Sequence, residues 1–175
     1  RNMVDDDLKE IVGKGMLSAT NEFSFIRDVD FVAICVPTPL DMYQQPDISY
    51  VKSSTESIAR YMKKGTMVVL ESTTYPGTTE ELVKPILEAG SGLVCGEDFY
   101  LGFSPERVDP GNLIYKTKNT PKVVGAIGDD ALEVIAAMYR AVLDSDVHTV
   151  SSPAIAEMEK ILETTYRNIN IGLVD

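Results

Sequence analysis

The stretch Thr66–Thr79, T-M-V-V-L-E-S-T-T-Y-P-G-T-T, limits the possible folds more than any other part of the chain. Its apolar run Met67–Leu70 has the length and composition of a buried strand, and a polar cluster followed by Pro-Gly ends it. Thr78 or Thr79 can then cap a helix that runs through Val83. A strand, a tight turn and a capped helix form half of a βαβ unit, which predicts an open parallel sheet.

The hydroxyl cluster Ser72, Thr73 and Thr74 follows that strand directly. In an open parallel sheet, ligands bind at the carboxyl ends of the strands, so these side chains stand where ligand contact is expected. The same hydroxyls can instead satisfy N–H groups of the turn and of the first helical turn. The local sequence leaves both roles open.

The remaining chain repeats the alternation of strands and helices. Apolar or β-branched runs predict further strands at Leu17–Thr20, Phe31–Val36, Phe99–Phe103, Pro121–Gly125 and Val147–Val150. Periodic segments of about 12 residues between several of them predict helices. This pattern predicts an α/β fold with a mainly parallel sheet and right-handed crossovers.

Proline, glycine and aspartate mark the limits of the predicted helices. Pro46 opens one helix, and Gly65 closes it. Pro85 lies inside the helix of the opening motif, where its missing N–H predicts a kink or an early end. Asp129 is predicted to cap the helix that follows the strand Pro121–Gly125.

A long helix is predicted at the carboxyl end of the chain. Ser151 or Ser152 can cap it, and Pro153 occupies a favoured first helical position. A domain boundary is placed here, which divides the chain into residues 1–150 and residues 151–175. Because no strong breaker ends this helix, and the first residues do not read as a domain start, the chain is expected to be cut at both ends.

The composition excludes several classes of function. A net charge of −11 repels nucleic-acid phosphates, and no apolar stretch approaches the roughly 20 residues of a membrane span, so neither partner is expected. Cys35 and Cys95 are too few for a disulfide framework, which favours a reduced, cytoplasmic protein. With His148 as the only histidine, no metal site is expected.

Lys160, Thr164 and Arg167 are spaced i, i+4 and i+7 and therefore share one face of the final helix. A lysine, a hydroxyl and a guanidinium on one stripe can hold an anionic or polyhydroxyl ligand. The same residues can also form an ordinary solvated face, since Glu163 and Arg167 have the spacing of an ion pair.

The loop Ser104–Asn112, S-P-E-R-V-D-P-G-N, comes directly after a predicted strand. It places Glu106 beside Arg107, with prolines that restrict the backbone around them. A rigid loop at the edge of a sheet is suited to holding a general base and an anion-binding group. An ordinary Glu–Arg ion pair is the alternative.

Five segments together resemble the UDP-glucose/GDP-mannose 6-dehydrogenase family. They follow the family's order and cover most of the chain: Phe31–Pro39, Glu71–Gly77, Ser104–Asn112, Pro121–Gly125 and Ala156–Val174. The S-P-E-R-V-D-P-G-N form looks most like the branch that acts on UDP-N-acetylhexosamines, such as UDP-N-acetylglucosamine or UDP-N-acetylmannosamine.

The resemblance implies a fold, a reaction and an assembly. Residues 1–150 would be a partial Rossmann-like NAD-binding domain, and residues 151–175 the start of a central helix that builds a homodimer. The enzyme would use NAD to oxidise the C6 alcohol of a UDP-sugar to the acid, for the synthesis of polysaccharide precursors. Two hydride transfers would proceed through a cysteine thioester.

The resemblance also assigns roles to single residues. Thr38 and Thr73 match positions that contact NAD, and Glu106 matches a catalytic-loop glutamate. Lys160 matches the family's essential lysine and would stabilise an oxyanion, while Glu106, with a water near Thr73, would assist thioester hydrolysis. The matching substrate-contacting residues are Arg107, Val108, Lys160, Thr164 and Arg167.

Three departures from the family pattern affect these expectations. The resemblance places the family's glycine loop before residue 1 and its nucleophilic cysteine after Asp175, and neither Cys35 nor Cys95 matches that cysteine. Thr164 replaces an asparagine and has fewer donors. The 175-residue piece is therefore expected to be inactive alone. The alternatives are a non-catalytic α/β binding or interaction module and a 6-phosphogluconate-type or hydroxyacyl dehydrogenase.

Overall fold

A computed structural model describes residues 5–108, 112 and 114–174. Within these residues a single sheet contains five strands, ordered in space as they are in sequence. The strands are β1 (Phe31–Ile34), β2 (Met67–Leu70), β3 (Tyr100–Phe103), β4 (Lys122–Ala126) and β5 (Val147–Val150). The α/β class and the mainly parallel sheet are confirmed.

One strand pair departs from the parallel pattern. β1, β2 and β3 pair in parallel, and so do β4 and β5, but β3 and β4 are antiparallel. Because β4 runs the opposite way, its first residue, Lys122, lies at the edge where β1, β2 and β3 end. We call this edge the carboxyl rim.

Five α-helices lie among the described residues. They are α1 (Asp5–Gly13), α2 (Ser49–Ala59), α3 (Lys84–Ser91), α4 (Asp129–Val142) and α5 (Pro153–Val174). A 3-10 turn at Phe23–Asp28 precedes β1. At the start of α5, the Ser152 hydroxyl accepts a hydrogen bond from Ile155 N at 3.4 Å, as a capping residue does.

Two local predictions are wrong. Leu17–Thr20 forms no strand, because its side chains are exposed and the described residues offer it no strand to pair with. Asp129 does not cap α4: it is the first helical residue, and Gly128 occupies the capping position with φ +92°. A positive φ is easily adopted by glycine, which explains the choice of residue.

The proline inside the opening motif changes the type of helix. A π-helical turn covers Thr78–Val83, and α3 begins at Lys84 with Pro85 in its first turn. An amino-terminal turn lacks an internal partner for its N–H groups, so proline costs little there. The helix does not end early at Pro85: it changes from π-helix to α-helix at Lys84 and continues to Ser91.

The sheet has a hydrophobic core on each face. On one face, α2, α3 and the start of α5 bury Val51, Leu87 and Ala156 against Leu70 and Phe103. On the other face, α4 alone covers the sheet, through side chains that include Ala131, Ile135 and Tyr139. The first part of α5 is therefore anchored on the same face as α2 and α3.

Gly125 allows α5 to begin close to the sheet. A Cβ atom at this position would lie 2.2 Å from the carbonyl oxygen of Ser152 and 3.0 Å from the nitrogen of Pro153. Only glycine permits so close a backbone approach. The contact brings the first turns of α5 beside β4 and within reach of the carboxyl rim.

Candidate active site

A cavity of about 440 Å³ lies at the carboxyl ends of β1 and β2. Two segments that follow these strands form its walls, and Glu106 comes from the loop after β3. The lining residues are Cys35, Val36, Pro37, Thr38, Glu71, Ser72, Thr73 and Glu106. The predicted residues Thr38, Thr73 and Glu106 thus share one hollow.

The three hydroxyl residues after β2 have different surroundings. Ser72 is buried. Its hydroxyl accepts a hydrogen bond from Val36 N at 2.8 Å and donates one to the carbonyl oxygen of Val36, in the segment that follows β1. Thr74 is also buried, and its hydroxyl pairs with that of Thr78. Thr73 is exposed and lines the cavity. The structural role therefore belongs to Ser72 and Thr74, and the position for ligand contact to Thr73.

The loop after β3 is fixed at its base and holds Glu106 by its own backbone. Buried Ser104 donates its hydroxyl to the carbonyl of Val123 at 2.7 Å. The Oε1 atom of Glu106 accepts hydrogen bonds from Arg107 N at 2.9 Å and Val108 N at 2.8 Å. The carboxylate is thereby oriented while its side chain stays 45% exposed toward the cavity.

Helix α5 reaches this loop through Lys160. The ammonium of Lys160 donates a hydrogen bond to the backbone carbonyl of Glu106. Since Glu106 and Thr73 line the same cavity, the structure brings all three predicted catalytic residues to one region of the carboxyl rim. Residues from three segments meet there.

Arg107 is held by two glutamates of α5. Its guanidinium makes two hydrogen bonds to Glu163, at 2.9 and 3.1 Å, and lies 3.4 Å from Glu159. A third bond goes to the carbonyl of Pro121. The guanidinium of Arg107, which was predicted to bind substrate, is therefore bound to α5. Helix spacing had suggested that Glu163 pairs with Arg167, but Glu163 pairs with Arg107 instead.

The remaining predicted substrate residues lie on or near α5. Thr164 is half-buried and Arg167 is exposed, on the same side of the helix as Lys160. Val108 is half-buried at the end of the described part of the loop. Residues 109–111 of the predicted loop motif lie outside the described residues.

A buried carboxylate ties α5 to the segment that carries Thr73. Glu157 has no exposed surface, and it accepts hydrogen bonds from Gly77 N at 2.5 Å and Thr79 N at 2.9 Å. The Thr79 hydroxyl donates to it as well. Glu157 thus caps the π-helical turn from another helix, which fixes α5 relative to the Thr73 segment.

A buried charge cluster that was not predicted from the sequence lies beside the cavity. Lys122 lies 3.3 Å from Glu71 and 3.7 Å from Glu106, and its ammonium stands 5.3 Å from the ring centre of Tyr139. The Tyr139 hydroxyl donates to Glu71. Burial, together with this carboxylate, raises the pKa of the Tyr139 phenol. A charged residue within an apolar strand was the available signal for Lys122.

Both cysteines are free thiols, and neither is activated. Burial raises the pKa of Cys35, and the Glu71 carboxylate raises it further. Burial also raises the pKa of Cys95 to about 11. The thiolate is the nucleophilic form, so neither residue has the surroundings of a catalytic cysteine.

No group of three His, Cys, Asp or Glu side chains among the described residues is arranged to hold a metal ion. None of the helices in the described part of the chain combines the length and the apolar character needed to cross a bilayer.

Comparison with known proteins identifies similar sequences and structures. Residues 2–143 match the profile described as UDP-glucose/GDP-mannose dehydrogenase family, NAD binding domain. Protein CapL of Staphylococcus aureus is 40% identical over 156 residues, which are 89% of this chain and 37% of that protein. UDP-N-acetyl-D-glucosamine 6-dehydrogenase of Pseudomonas aeruginosa is 37% identical over 169 residues, 97% of this chain and 40% of that protein.

A solved structure has the same fold over nearly the whole chain. The UDP-D-ManNAc dehydrogenase of Pyrococcus horikoshii matches with a TM-score of 0.90 at 34% identity, and the match covers 97% of this chain and 40% of that one. The chain thus spans about two fifths of the length of the relatives it matches.

Proposed function

Because the chain belongs to the UDP-glucose/GDP-mannose dehydrogenase family, we propose that it is part of an enzyme that oxidises the C6 alcohol of a UDP-sugar to the acid. The family match confirms NAD as the predicted cofactor. The observation that carries the proposal is that Thr38, Thr73 and Glu106 line one cavity and that Lys160 contacts the backbone carbonyl of Glu106. Relatives named for UDP-N-acetylglucosamine and UDP-N-acetylmannosamine favour a UDP-N-acetylhexosamine as substrate.

The cavity fits part of a dinucleotide. Its volume of about 440 Å³ lies within the range of small-ligand sites, and its hydroxyl and carboxylate groups suit a ribose or an amide. Thr38 and Thr73 would contact the cofactor, because both line the cavity after strand ends. NAD supplies the acceptor for the electrons and hydrogen removed from the sugar.

Glu106 would act as the general base, and Lys160 would provide electrostatic stabilisation. The Glu106 carboxylate is exposed to the cavity and held by two backbone amides, a suitable arrangement for a general base acting on water near Thr73. Lys160 brings a positive charge to the same loop, where it would stabilise an oxyanion of the substrate.

The thioester step needs a cysteine other than the two in this chain. The raised pKa values of Cys35 and Cys95 argue against both, as does their poor match to the family pattern. The nucleophile would lie in the part of the relatives' length that this chain does not span. The resulting nucleotide-linked acid would serve as a polysaccharide precursor.

The sugar nucleotide would lie along α5 and the loop after β3. Lys160, Thr164 and Arg167 share one side of α5 and offer two cations and a hydroxyl, and Lys160 reaches the loop at the carboxyl rim. Arg107 and Val108 would contact it mainly through their backbone, because the Arg107 guanidinium is already bound by Glu163.

The opposite side of α5 would build a homodimer. Exposed apolar residues recur there at intervals of three and four: Ile155, Met158, Leu162, Tyr166, Ile169 and Leu173. Beside their first members lies an apolar hollow of about 490 Å³. A second copy of α5 could cover this stripe while the substrate face stays open. The free thiols fit the reducing cytoplasm as its compartment.

The test is turnover by the full-length polypeptide with NAD and a panel of UDP-hexoses and UDP-N-acetylhexosamines. We expect two NADH per sugar oxidised, with highest kcat/KM for a UDP-N-acetylhexosamine. Glu106→Gln should lower kcat by about 100-fold or more, as loss of a general base does. The matched change Glu133→Gln, on the exposed face of α4, should have no effect.

Two results would contradict the proposal. One NADH per sugar would exclude oxidation to the acid. NAD binding without NADH formation from any UDP-sugar would favour the non-catalytic nucleotide-binding module.

A further inference from the structure

Lys122 is a buried cation that the proposed chemistry does not use. It is the first residue of β4, and its side chain is only 9% exposed. The antiparallel pairing of β3 and β4 carries it to the carboxyl rim, beside the cavity. A buried ammonium is costly unless charged or polar groups compensate it, so its partners indicate its role.

The carboxylate of Glu71 is the nearer partner, and it is fixed from two sides. Its Oε2 atom lies 3.3 Å from Lys122, and its Oε1 atom accepts the hydroxyl hydrogen of Tyr139. The Tyr139 ring also supports the Lys122 ammonium, at 5.3 Å from the ring centre. These contacts hold the ammonium in place next to Glu71 and Glu106, two residues that line the cavity.

The second carboxylate facing Lys122 is that of Glu106. Its Oε1 atom is occupied by the two backbone amides of the loop, and its Oε2 atom lies 3.7 Å from the Lys122 ammonium. The Lys160 ammonium contacts the Glu106 carbonyl instead of this carboxylate. Lys122 therefore supplies positive charge to Oε2, the carboxylate oxygen of Glu106 that the backbone amides do not bind.

The same charges also reach Cys35, which lines the cavity. Burial is the main cause of the raised pKa of this thiol; Glu71 and Glu106 raise that pKa further, and Lys122 lowers it. Two carboxylates and one ammonium thus act on the same point in the cavity wall. Without Lys122, the two carboxylates would face the cavity with no cation between them.

We propose that Lys122 is a positioning residue that holds the Glu106 carboxylate in its working orientation through the buried charge cluster beside the cavity. It touches neither substrate nor cofactor and acts through Glu106. The inference rests on the proposed function for its catalytic consequence, but the structural part can be measured separately.

The structural part is tested by hydrogen–deuterium exchange in the full-length polypeptide. In Lys122→Met, the carboxylate loses its second anchor, so the amides of Arg107 and Val108 should exchange at least about tenfold faster. The matched change Lys118→Met removes an exposed lysine paired with Asp144 and should leave these amides unchanged. Unchanged exchange in folded Lys122→Met would overturn the proposal.

A double variant separates positioning from charge balance. Lys122→Met leaves Glu71 buried without its cation and can destabilise the protein, whereas Glu71→Gln/Lys122→Met removes both charges and keeps an oxygen acceptor for Tyr139. Compared with Glu71→Gln alone, the double variant should keep its melting temperature and show the faster loop exchange. Restored protection of the loop would mean that Lys122 only neutralises Glu71.

Kinetics test the consequence for catalysis. The double variant should lose about 10- to 100-fold in kcat relative to Glu71→Gln, with KM values within about threefold. Lys122→Arg, which keeps the charge, should recover part of kcat. An equal kcat in the double variant and Glu71→Gln would overturn the catalytic role. If wild type oxidises no UDP-sugar, the proposed function fails, while the exchange experiment still decides the role of Lys122.

Discussion

Glu159 and Glu163 lie about one turn apart on α5 and face the same guanidinium, yet their pKa values shift in opposite directions. Hydrogen bonds from Arg107 lower the pKa of Glu163. Burial raises the pKa of Glu159, although Arg107 opposes that shift. The Oε2 atom of Glu159 is buried without a hydrogen-bond partner among the described residues. One arginine therefore satisfies one carboxylate well and the other poorly.

Glu163→Gln should destabilise the protein at neutral pH. The pair is partly exposed, so the expected loss is about 0.5–1 kcal/mol in the free energy of unfolding. Because folding lowers the pKa of Glu163, its contribution is present above the unfolded-state pKa and is lost as pH falls through the folded-state value. Denaturant unfolding should therefore show a difference at pH 7 that shrinks below about pH 4.

Glu159→Gln is the matched comparison on the same helix and beside the same arginine. A raised pKa means that ionised Glu159 opposes folding above its unfolded-state pKa, so this variant should lose less stability at neutral pH than Glu163→Gln. If Glu159→Gln proves the more damaging of the two in denaturant unfolding, the assignment of Arg107 mainly to Glu163 is wrong.

At the scale of elements, the site exists because α5 is attached to two loops by separate contacts. Glu157 joins it to the segment of Thr73, and Lys160 with Glu163 joins it to the loop of Glu106. The first contact is fully buried, whereas the second is partly exposed. The attachment at Glu157 should therefore contribute more to stability.

Glu157→Gln should cost about 2–4 kcal/mol in the free energy of unfolding. The carboxylate accepts from Gly77, from Thr79 N and from the Thr79 hydroxyl, but a glutamine offers one oxygen and turns an NH₂ group toward a donor. Loss of charge-assisted bonds and a buried unpaired donor together give this magnitude. Thermal unfolding of Glu133→Gln, an exposed glutamate on α4, provides the control. Equal melting temperatures for the two variants would refute the capping role.

The sequence predicted most of the elements but not their mutual arrangement. Local runs predicted β2 and β5 with their observed limits, since buried strands depend on nearby apolar residues. The direction of β4 was not readable, because antiparallel pairing with β3 depends on a long loop. Lys122 was therefore missed as part of the site. The pairing of Arg107 with Glu163 was missed as well, because Glu163 lies 56 residues away in sequence.

Thr73 and Ser72 show what the sequence left undecided within a correct prediction. The strand end was predicted, and by the local pattern alone the three adjacent hydroxyls were equal candidates for ligand contact; only the family resemblance favoured Thr73. The surroundings of Ser72 and Thr73 differ because of the segment that follows β1. This segment buries Ser72 against Val36 and leaves Thr73 exposed. Such a distinction depends on a neighbouring strand, which periodicity does not encode.

At the scale of the whole molecule, α5 is unevenly supported. Its buried residues, Pro153, Ala156 and Glu157, all lie in the first two turns. Beyond them, Leu162, Ile169 and Leu173 are exposed. About ten residues of unsupported helix are marginal in water, because most helix stability in proteins comes from packing. A partner surface would supply that packing.

The distal half of α5 should gain protection from hydrogen exchange as protein concentration rises, while β2 should not. Association by mass action stabilises what it covers, and the proposed homodimer covers residues 162–174. Leu162→Lys should abolish this dependence and give a monomer in sedimentation. Asn168→Lys adds the same charge on another side of the helix and should leave both measurements unchanged. Protection of residues 162–174 that does not vary with concentration in a sedimenting monomer would show that α5 needs no partner.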